Sequence, residues 1–179
     1  MNIIYLTGFM GSGKSTIGPI LANSLGWDFY DLDKVIEKKT GKKIRQIFEQ
    51  DGEDFFRETE TQTLTEITEN EKAIISLGGG TIVSDKNIKI LKNTGKIIYL
   101  KVSTESAYRR LKYKRDRPAL LKNLSDDLTK EELINKINDL MNTRIKYYEM
   151  ADFTIDTDRS SVGRTVDKIV RLISDIGLK

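Results

Sequence analysis

The stretch Gly8-Phe9-Met10-Gly11-Ser12-Gly13-Lys14-Ser15 meets the spacing G-x-x-x-x-G-K-[ST] at every fixed position. Before it, Asn2-Ile3-Ile4-Tyr5-Leu6-Thr7 reads as a buried strand, and after it Thr16 to Leu25 reads as a helix. Glycines let the backbone turn tightly and aim successive N–H groups at one anion, and the helix that follows adds the positive end of its dipole. Lys14 is then placed to reach β- and γ-phosphates, and the Ser15 hydroxyl to ligate Mg²⁺. The plainer reading is a glycine-rich turn with no ligand. The strand before and the helix after favour phosphate binding.

Outward from this loop, apolar strand candidates alternate with helical patterns. The strands are Ile3–Thr7, Asp28–Tyr30, Ala73–Leu77, Lys96–Val102 and Phe153–Asp156. Short strands separated by crossover-length helices predict a parallel sheet covered on both faces. Ligands of open α/β sheets bind beyond the carboxyl ends of the strands. The glycine loop, Asp31-Leu32-Asp33 and Gly78-Gly79-Gly80 each follow a strand, so they are expected at one rim. Ser84 and Asp85 are suited to cap a helix over Lys86–Asn93, with Gly95 as its C′ residue. A helix is expected from Lys130 to Met150, with Leu133, Ile134, Ile137, Leu140 and Met141 on one face. Another runs over Ser161–Ile176, with Val166, Ile169, Val170 and Ile173 at core spacing.

Composition limits the chemistry. The 179 residues, 38% hydrophobic and 32% charged, suit one soluble domain with a single core, or a core plus a small mobile subdomain. No apolar run reaches membrane-spanning length, and the first residues read as strand, so no signal peptide is expected. Zero cysteines exclude disulfides and thiolate metal sites and fit a cytoplasmic location. Zero histidines exclude Ser-His-Asp and Cys-His nucleophilic machinery and histidine-based zinc sites. Any general base is therefore a carboxylate, lysine, tyrosine or water. A formal charge of +3 is too small to imply nucleic-acid binding.

Three further groups of residues bear on chemistry. Asp31 and Asp33 flank Leu32 at a strand end. Extended, they point the same way; a turn separates their roles. Beside a phosphate loop they suit an outer-sphere Mg²⁺ contact and a base for a hydroxyl proton, and the alternative is helix capping, since Asp33 directly precedes a helical pattern. Arg57 and Glu60 share a face of a helix starting near Gly52 and can pair. That pair is either an ordinary surface ion pair or a device that holds the Arg57 fork for a substrate carboxylate. The glycines at 78–80 suit close approach of backbone to ligand, or a tight strand-to-helix turn. The irregular stretch Tyr113–Thr129, with Lys114-Arg115-Asp116-Arg117-Pro118, reads as a solvated loop or as an arginine-bearing lid.

Taken together, the phosphate loop, Asp31-x-Asp33, Phe56-Arg57-x-x-Glu60, Gly78-Gly79-Gly80, Arg117-Pro118 and Arg144 followed by Tyr148 resemble the shikimate kinases, in that family's order. The resemblance runs from residue 4 to about residue 157. It implies an α/β three-layer sandwich of the P-loop, nucleoside-monophosphate-kinase-like type, with a five-stranded parallel sheet in the order 2-3-1-4-5 and a mobile lid. One domain over 1–179 is implied, with the lid over about 112–128 and a shikimate-binding helical region over about 33–60. The activity implied is Mg-ATP-dependent phosphorylation of the shikimate 3-hydroxyl, giving shikimate 3-phosphate and ADP in the chorismate pathway.

By the same resemblance, Gly11, Ser12, Gly13, Lys14, Ser15 and Thr16 cradle ATP, with Arg110 near adenine and Arg117 descending from the lid onto the phosphates. Ser15 ligates Mg²⁺, and Asp31 holds it through water. Asp33 binds the acceptor hydroxyls as the base, and with Lys14 and Arg117 makes up the catalytic set. Arg57 and Arg144 clamp the carboxylate, Glu60 supports Arg57, and Gly79 or Gly80 bonds a hydroxyl through its backbone. Shikimate and ATP are the partners implied, with neither nucleic acid nor membrane, and the chain is expected to be a monomer.

The chain also departs from the family pattern. Ser76 stands where many P-loop proteins carry a strand-end Asp for magnesium; shikimate kinases commonly lack that acid as well. Pro19, where relatives usually carry a basic residue, removes a backbone bond to the Ser15 carbonyl, and a kink or bulge is expected over Ser15–Pro19. Ser125-Asp126-Asp127 has no family match. A gluconate-type sugar-acid kinase, a non-catalytic nucleotide-binding module and a nucleoside monophosphate kinase are the competing readings. The first lacks the Asp31-x-Asp33, Phe56-Arg57 and triple-glycine set; the second predicts loss of Lys14, Ser15, Asp33 or Arg117; the third needs a base-recognition signature.

Overall fold

Strand β1 (Asn2–Thr7) is apolar on both faces, and the structure covers both. The computed structural model describes residues 2–112 and 129–178. In it β1 is the middle of a five-stranded parallel sheet with β2 (Asp28–Asp31), β3 (Lys72–Ser76), β4 (Lys96–Lys101) and β5 (Phe153–Asp156). The spatial order is β2-β3-β1-β4-β5, as the family resemblance implied. Ile3 and Tyr5 of β1, Ala73 and Ile75 of β3, and Ile97 and Tyr99 of β4 point into one core layer. Ile4, Leu6, Ile74, Ile98 and Leu100 point into the other. This two-residue alternation with both sets buried is what a doubly covered parallel sheet demands.

One face is covered by α1 (Lys14–Leu25) and α8 (Val162–Asp175), through Ile17, Leu21, Val166, Ile169 and Ile173. The other carries α2 (Leu32–Thr40), α3 (Ile44–Gln50), α4 (Gly52–Ile67), α5 (Asp85–Thr94), α6 (Thr104–Leu111) and α7 (Lys130–Tyr148). On α7, Ile137 is fully buried, and Leu133, Leu140 and Met141 pack against the same core. Ser84 caps α5 as expected, accepting from the Asn87 N–H. The connection from β3 to α5 is Gly78-Gly79-Gly80 followed by a short 3₁₀ turn, Thr81–Val83.

Two local expectations are corrected. Gly95 ends α5 but is not a left-handed C′ residue; its φ is −170°, extended backbone open to any residue. It is glycine because a Cβ there would collide with the Ile3 carbonyl oxygen of β1. Pro19 sits inside α1, which nevertheless runs as one unbroken α-helix with no bulge. Ser15 and Pro19 are both exposed, so the proline takes its place on the solvent side of the helix rather than in the core.

Candidate active site

Three chain segments leaving β1, β2 and β3 meet at the carboxyl rim of the sheet. The first is the loop between β1 and α1. Gly8, Gly11 and Gly13 have φ of 143°, 83° and 103°, a left-handed region that other residues adopt only under strain. Gly8 is doubly constrained, because a Cβ would lie 2.5 Å from the Leu100 carbonyl oxygen of β4. The Ser12 side chain is buried beneath the loop, and its N–H donates to the Phe9 carbonyl at 3.1 Å. Gly13 caps α1 without a side chain, so the first N–H groups of the helix face the loop. Thr16 donates its N–H back to the Gly13 carbonyl at 3.0 Å. Lys14 folds over the loop, its Nζ 2.7 Å from the Gly8 carbonyl oxygen and 3.2 Å from that of Phe9. A loop of this shape with an ammonium laid across it is a cradle for a polyphosphate.

The second segment resolves the two aspartates. β2 ends at Asp31 and α2 begins at Leu32, so a turn separates them. Asp31 caps α2, its Oδ1 accepting from the Lys34 N–H at 3.3 Å. The capping role considered for Asp33 therefore falls to Asp31. Asp33, in the first turn of α2 and half-buried, instead faces the third segment: its Oδ1 lies 2.9 Å from where a Cβ on Gly78 would be.

None of the glycines at 78–80 has a positive φ, so their smallness serves close approach. A Cβ on Gly79 would lie 3.0 Å from Arg144 Nη1, and one on Gly80 3.1 Å from Arg57 Nη2. The glycine strip thus brings Asp33, Arg57 and Arg144 to one place. Arg57 Nη1 donates to Glu60 at 2.9 Å and Nη2 to Glu53 at 3.2 Å. Glu60 is only 1% exposed, so the surface ion-pair reading does not hold. Burial works against the Arg57 charge, but Glu60 and then Glu53 outweigh it and hold the guanidinium above its ordinary pKa. Tyr148 donates its hydroxyl to the Gly79 carbonyl at 2.8 Å and stacks on Tyr99 at 5.1 Å between ring centroids. Burial raises the Tyr148 phenol, and the adjacent Arg144 offsets only part of that. Arg57, Gly80 and Arg144 open onto a cavity of about 460 Å³ whose outer wall includes Glu53, Ser84 and Tyr147.

At the opposite flank, Arg110 joins the phosphate loop to the end of β5. Its Nη1 donates to the Gly11 carbonyl at 2.8 Å and its Nη2 to the Thr157 carbonyl at 3.2 Å. Asp158 stands 4.0 Å from it and accepts from the Ser103 N–H. Burial pushes the Asp158 carboxyl up, yet bonds from Ser103 and Ser106 and the charge of Arg110 hold it below the usual value. Arg117, the Ser125-Asp126-Asp127 stretch and, apart from residue 112, the segment expected to form a lid over about 112–128 lie outside the described residues. The sequence reading missed Thr81, which bonds Glu60 at 2.7 Å, and Asn87, which bonds the Thr81 carbonyl at 3.0 Å. Thr81 directly follows the glycines, a signal that was available; Asn87 carries none, since only the packing of α5 on α4 brings it there.

A phosphate cradle at the rim of a 2-3-1-4-5 sheet, beside a carboxylate and two arginines, defines a P-loop phosphotransferase. The sequence model of shikimate kinase matches residues 10–174, and the chain belongs to that family. Shikimate kinase of Chlorobium chlorochromatii is 45% identical over 172 residues, 96% of this chain and 90% of that one. The Chlorobaculum tepidum shikimate kinase is likewise 45% identical over 96% of this chain and 90% of its own length. Among solved structures, shikimate kinase from Acinetobacter baumannii in complex with shikimate superposes with a TM-score of 0.88 at 37% identity, covering 100% of this chain and 96% of that one. The Aquifex aeolicus enzyme gives 0.81 at 34% identity, with 98% of both chains covered.

Proposed function

We propose that this chain transfers the γ-phosphoryl group of ATP to the 3-hydroxyl of shikimate, giving shikimate 3-phosphate and ADP in the chorismate pathway. The observation that carries the reading is the convergence of Arg57, Arg144 and Asp33 on the glycine strip, at the same rim as the phosphate loop. Two cationic forks take the acceptor carboxylate, and that anchors the ring so that a hydroxyl meets Asp33. Asp33 accepts the hydroxyl proton as the oxygen bonds to the γ-phosphorus, and the bond to the bridging oxygen breaks with its electron pair leaving on ADP. Lys14 swings from the loop carbonyls to the phosphates, and Ser12 contributes shape to the cradle from beneath. Arg110 lies beside the adenine side of the nucleotide. Arg117, by the family resemblance, closes over the phosphates from the lid, within one domain spanning the chain.

Mg²⁺ fits the oxygen donors at this rim. The Ser15 side chain is exposed in the first turn of α1, and Asp31 ends the strand next but one in the sheet. One hydroxyl and one carboxylate suit a hard cation that keeps its waters and shares phosphate oxygens. When bound it neutralises charge developing on the β- and γ-oxygens. We read the chain as a cytoplasmic monomer, on its cysteine-free composition and the absence of a patterned interface in its sequence; among the described residues no helix is long and apolar enough to cross a membrane.

ADP release from Mg-ATP, with shikimate or gluconate as acceptor, tests the reading. Shikimate-dependent release is expected, reduced at least about a hundredfold in Asp33→Asn and lost in Lys14→Ala. Release with gluconate alone overturns the substrate assignment. ATP binding without acceptor-dependent turnover overturns the catalytic one.

A further inference from the structure

Behind Arg57 runs a closed ring of polar contacts, buried at Thr81 and part-buried at Arg57 and Thr61, that the phosphoryl-transfer chemistry does not itself require. Glu60 divides its carboxylate, one oxygen accepting from Arg57 Nη1 at 2.9 Å and the other from the Thr81 hydroxyl at 2.7 Å. Thr81 and Asn87 are both fully buried. The Asn87 amide donates to the Thr81 carbonyl at 3.0 Å, while its oxygen accepts from the Thr61 hydroxyl at 2.8 Å. Thr61 is the residue after Glu60 on α4, so the contacts pass from α4 to the 3₁₀ turn, to α5 and back to α4.

Apolar side chains of similar volume would fill positions 81 and 87 with less desolvation. What the polar choice adds is direction. A carboxylate with a single donor can rotate about its bond to the chain; one held from both sides by fixed groups cannot. The guanidinium it holds is 36% exposed at the cavity, and its other anchor, Glu53, is itself an exposed side chain, so a fixed Glu60 is what narrows its rotamers. Glu60 Oε1 also lies within 3.5 Å of a Cβ placed on Gly78, so its orientation and that of the glycine strip are set together.

We propose that Thr81 and Asn87 are positioning residues that fix the plane of Glu60, and through it the presentation of Arg57 to the acceptor carboxylate. This rests on the reading of Arg57 as a carboxylate clamp. It predicts an effect on acceptor affinity that spares the nucleotide.

Steady-state kinetics with shikimate and ATP varied separately provide the test, on Thr81→Val, Thr81→Ser and Asn87→Asp. Thr81→Val is expected to raise KM for shikimate about tenfold while KM for ATP stays within about twofold of wild type. Thr81→Ser, which returns the hydroxyl, restores the acceptor KM. Asn87→Asp keeps the acceptor for Thr61 but loses the donor to Thr81, and it carries the expectation if Thr81→Val fails to fold. In a Glu60→Gln background Thr81→Val should add little, because the two act in series. An unchanged shikimate KM in a folded Thr81→Val, or equal rises in both KM values, overturns the proposal. A wild type that uses a different carboxylate acceptor overturns the functional reading instead, and the same comparison is then made on that acceptor's KM.

Discussion

Gly79 and Gly80 show how a residue with no side chain sets a charge distribution. Neither has a backbone conformation that alanine refuses, and what each added methyl would meet is the far end of an arginine. Gly79→Ala and Gly80→Ala should therefore leave unfolding stability within about 1 kcal/mol of wild type. Each should still raise KM for the acceptor several-fold by pushing Arg144 or Arg57 aside, and urea unfolding beside steady-state kinetics separates the two effects. Arg57→Lys tests the fork itself. A lysine keeps the charge but cannot make two parallel bonds to a carboxylate, so acceptor KM rises about tenfold or more and nucleotide KM holds. At this scale the sequence was informative wherever spacing alone fixes a neighbour: Arg57 and Glu60, three apart on a helix, do pair. It was mute where the partner comes from another element. Asp33 faces Gly78, Tyr148 bonds the Gly79 carbonyl, and Asn87 reaches Thr81; no local pattern encodes these, because each depends on how two elements pack.

Among the elements, the strands were legible as short apolar runs between helical patterns, and all five fall within a residue of the expected bounds, whereas α3 and α6 were not anticipated. The two corrected positions, Gly95 and Pro19, concern what lies beside an element rather than its period. Gly95→Ala would drive a methyl into the Ile3 carbonyl, and backbone on both sides cannot yield as a flexible side chain does. Chemical denaturation should show a loss of about 3 kcal/mol or more. Gly163 in α8 is the control of opposite sign. Its φ is not in the left-handed region and nothing lies within 4 Å of an added Cβ, so Gly163→Ala should gain about 0.5 kcal/mol from helix propensity. Pro19→Ala should also stabilise, by about 1–3 kcal/mol, since it returns a donor for the Ser15 carbonyl on an exposed face.

Across the whole molecule, two tyrosines on adjacent strands tie the sheet to pH. Burial pushes the Tyr5 phenol up to about 12 against the bond it shares with Thr94, and burial, with Tyr148 and Glu149 nearby, pushes Tyr99 up to about 12. A pKa raised by folding means that the unfolded chain releases the proton first. The stabilisation from these groups is therefore complete below pH 10, the ordinary tyrosine value, and is lost as pH climbs through 12. Urea midpoints between pH 8 and 12 should fall over that window, less steeply in Tyr99→Phe. The order of the sheet has a further outcome in time. β1 is the first strand to be made, yet its neighbours are β3 and β4, and Gly8 rests on the Leu100 carbonyl. During translation the glycine loop therefore has no backing until Leu100 has left the ribosome, on the order of ten seconds later at typical elongation rates. β3 is made earlier and can pair with one edge of β1, but the other edge stays open until β4 emerges, so that edge is what a chaperone has most to shield.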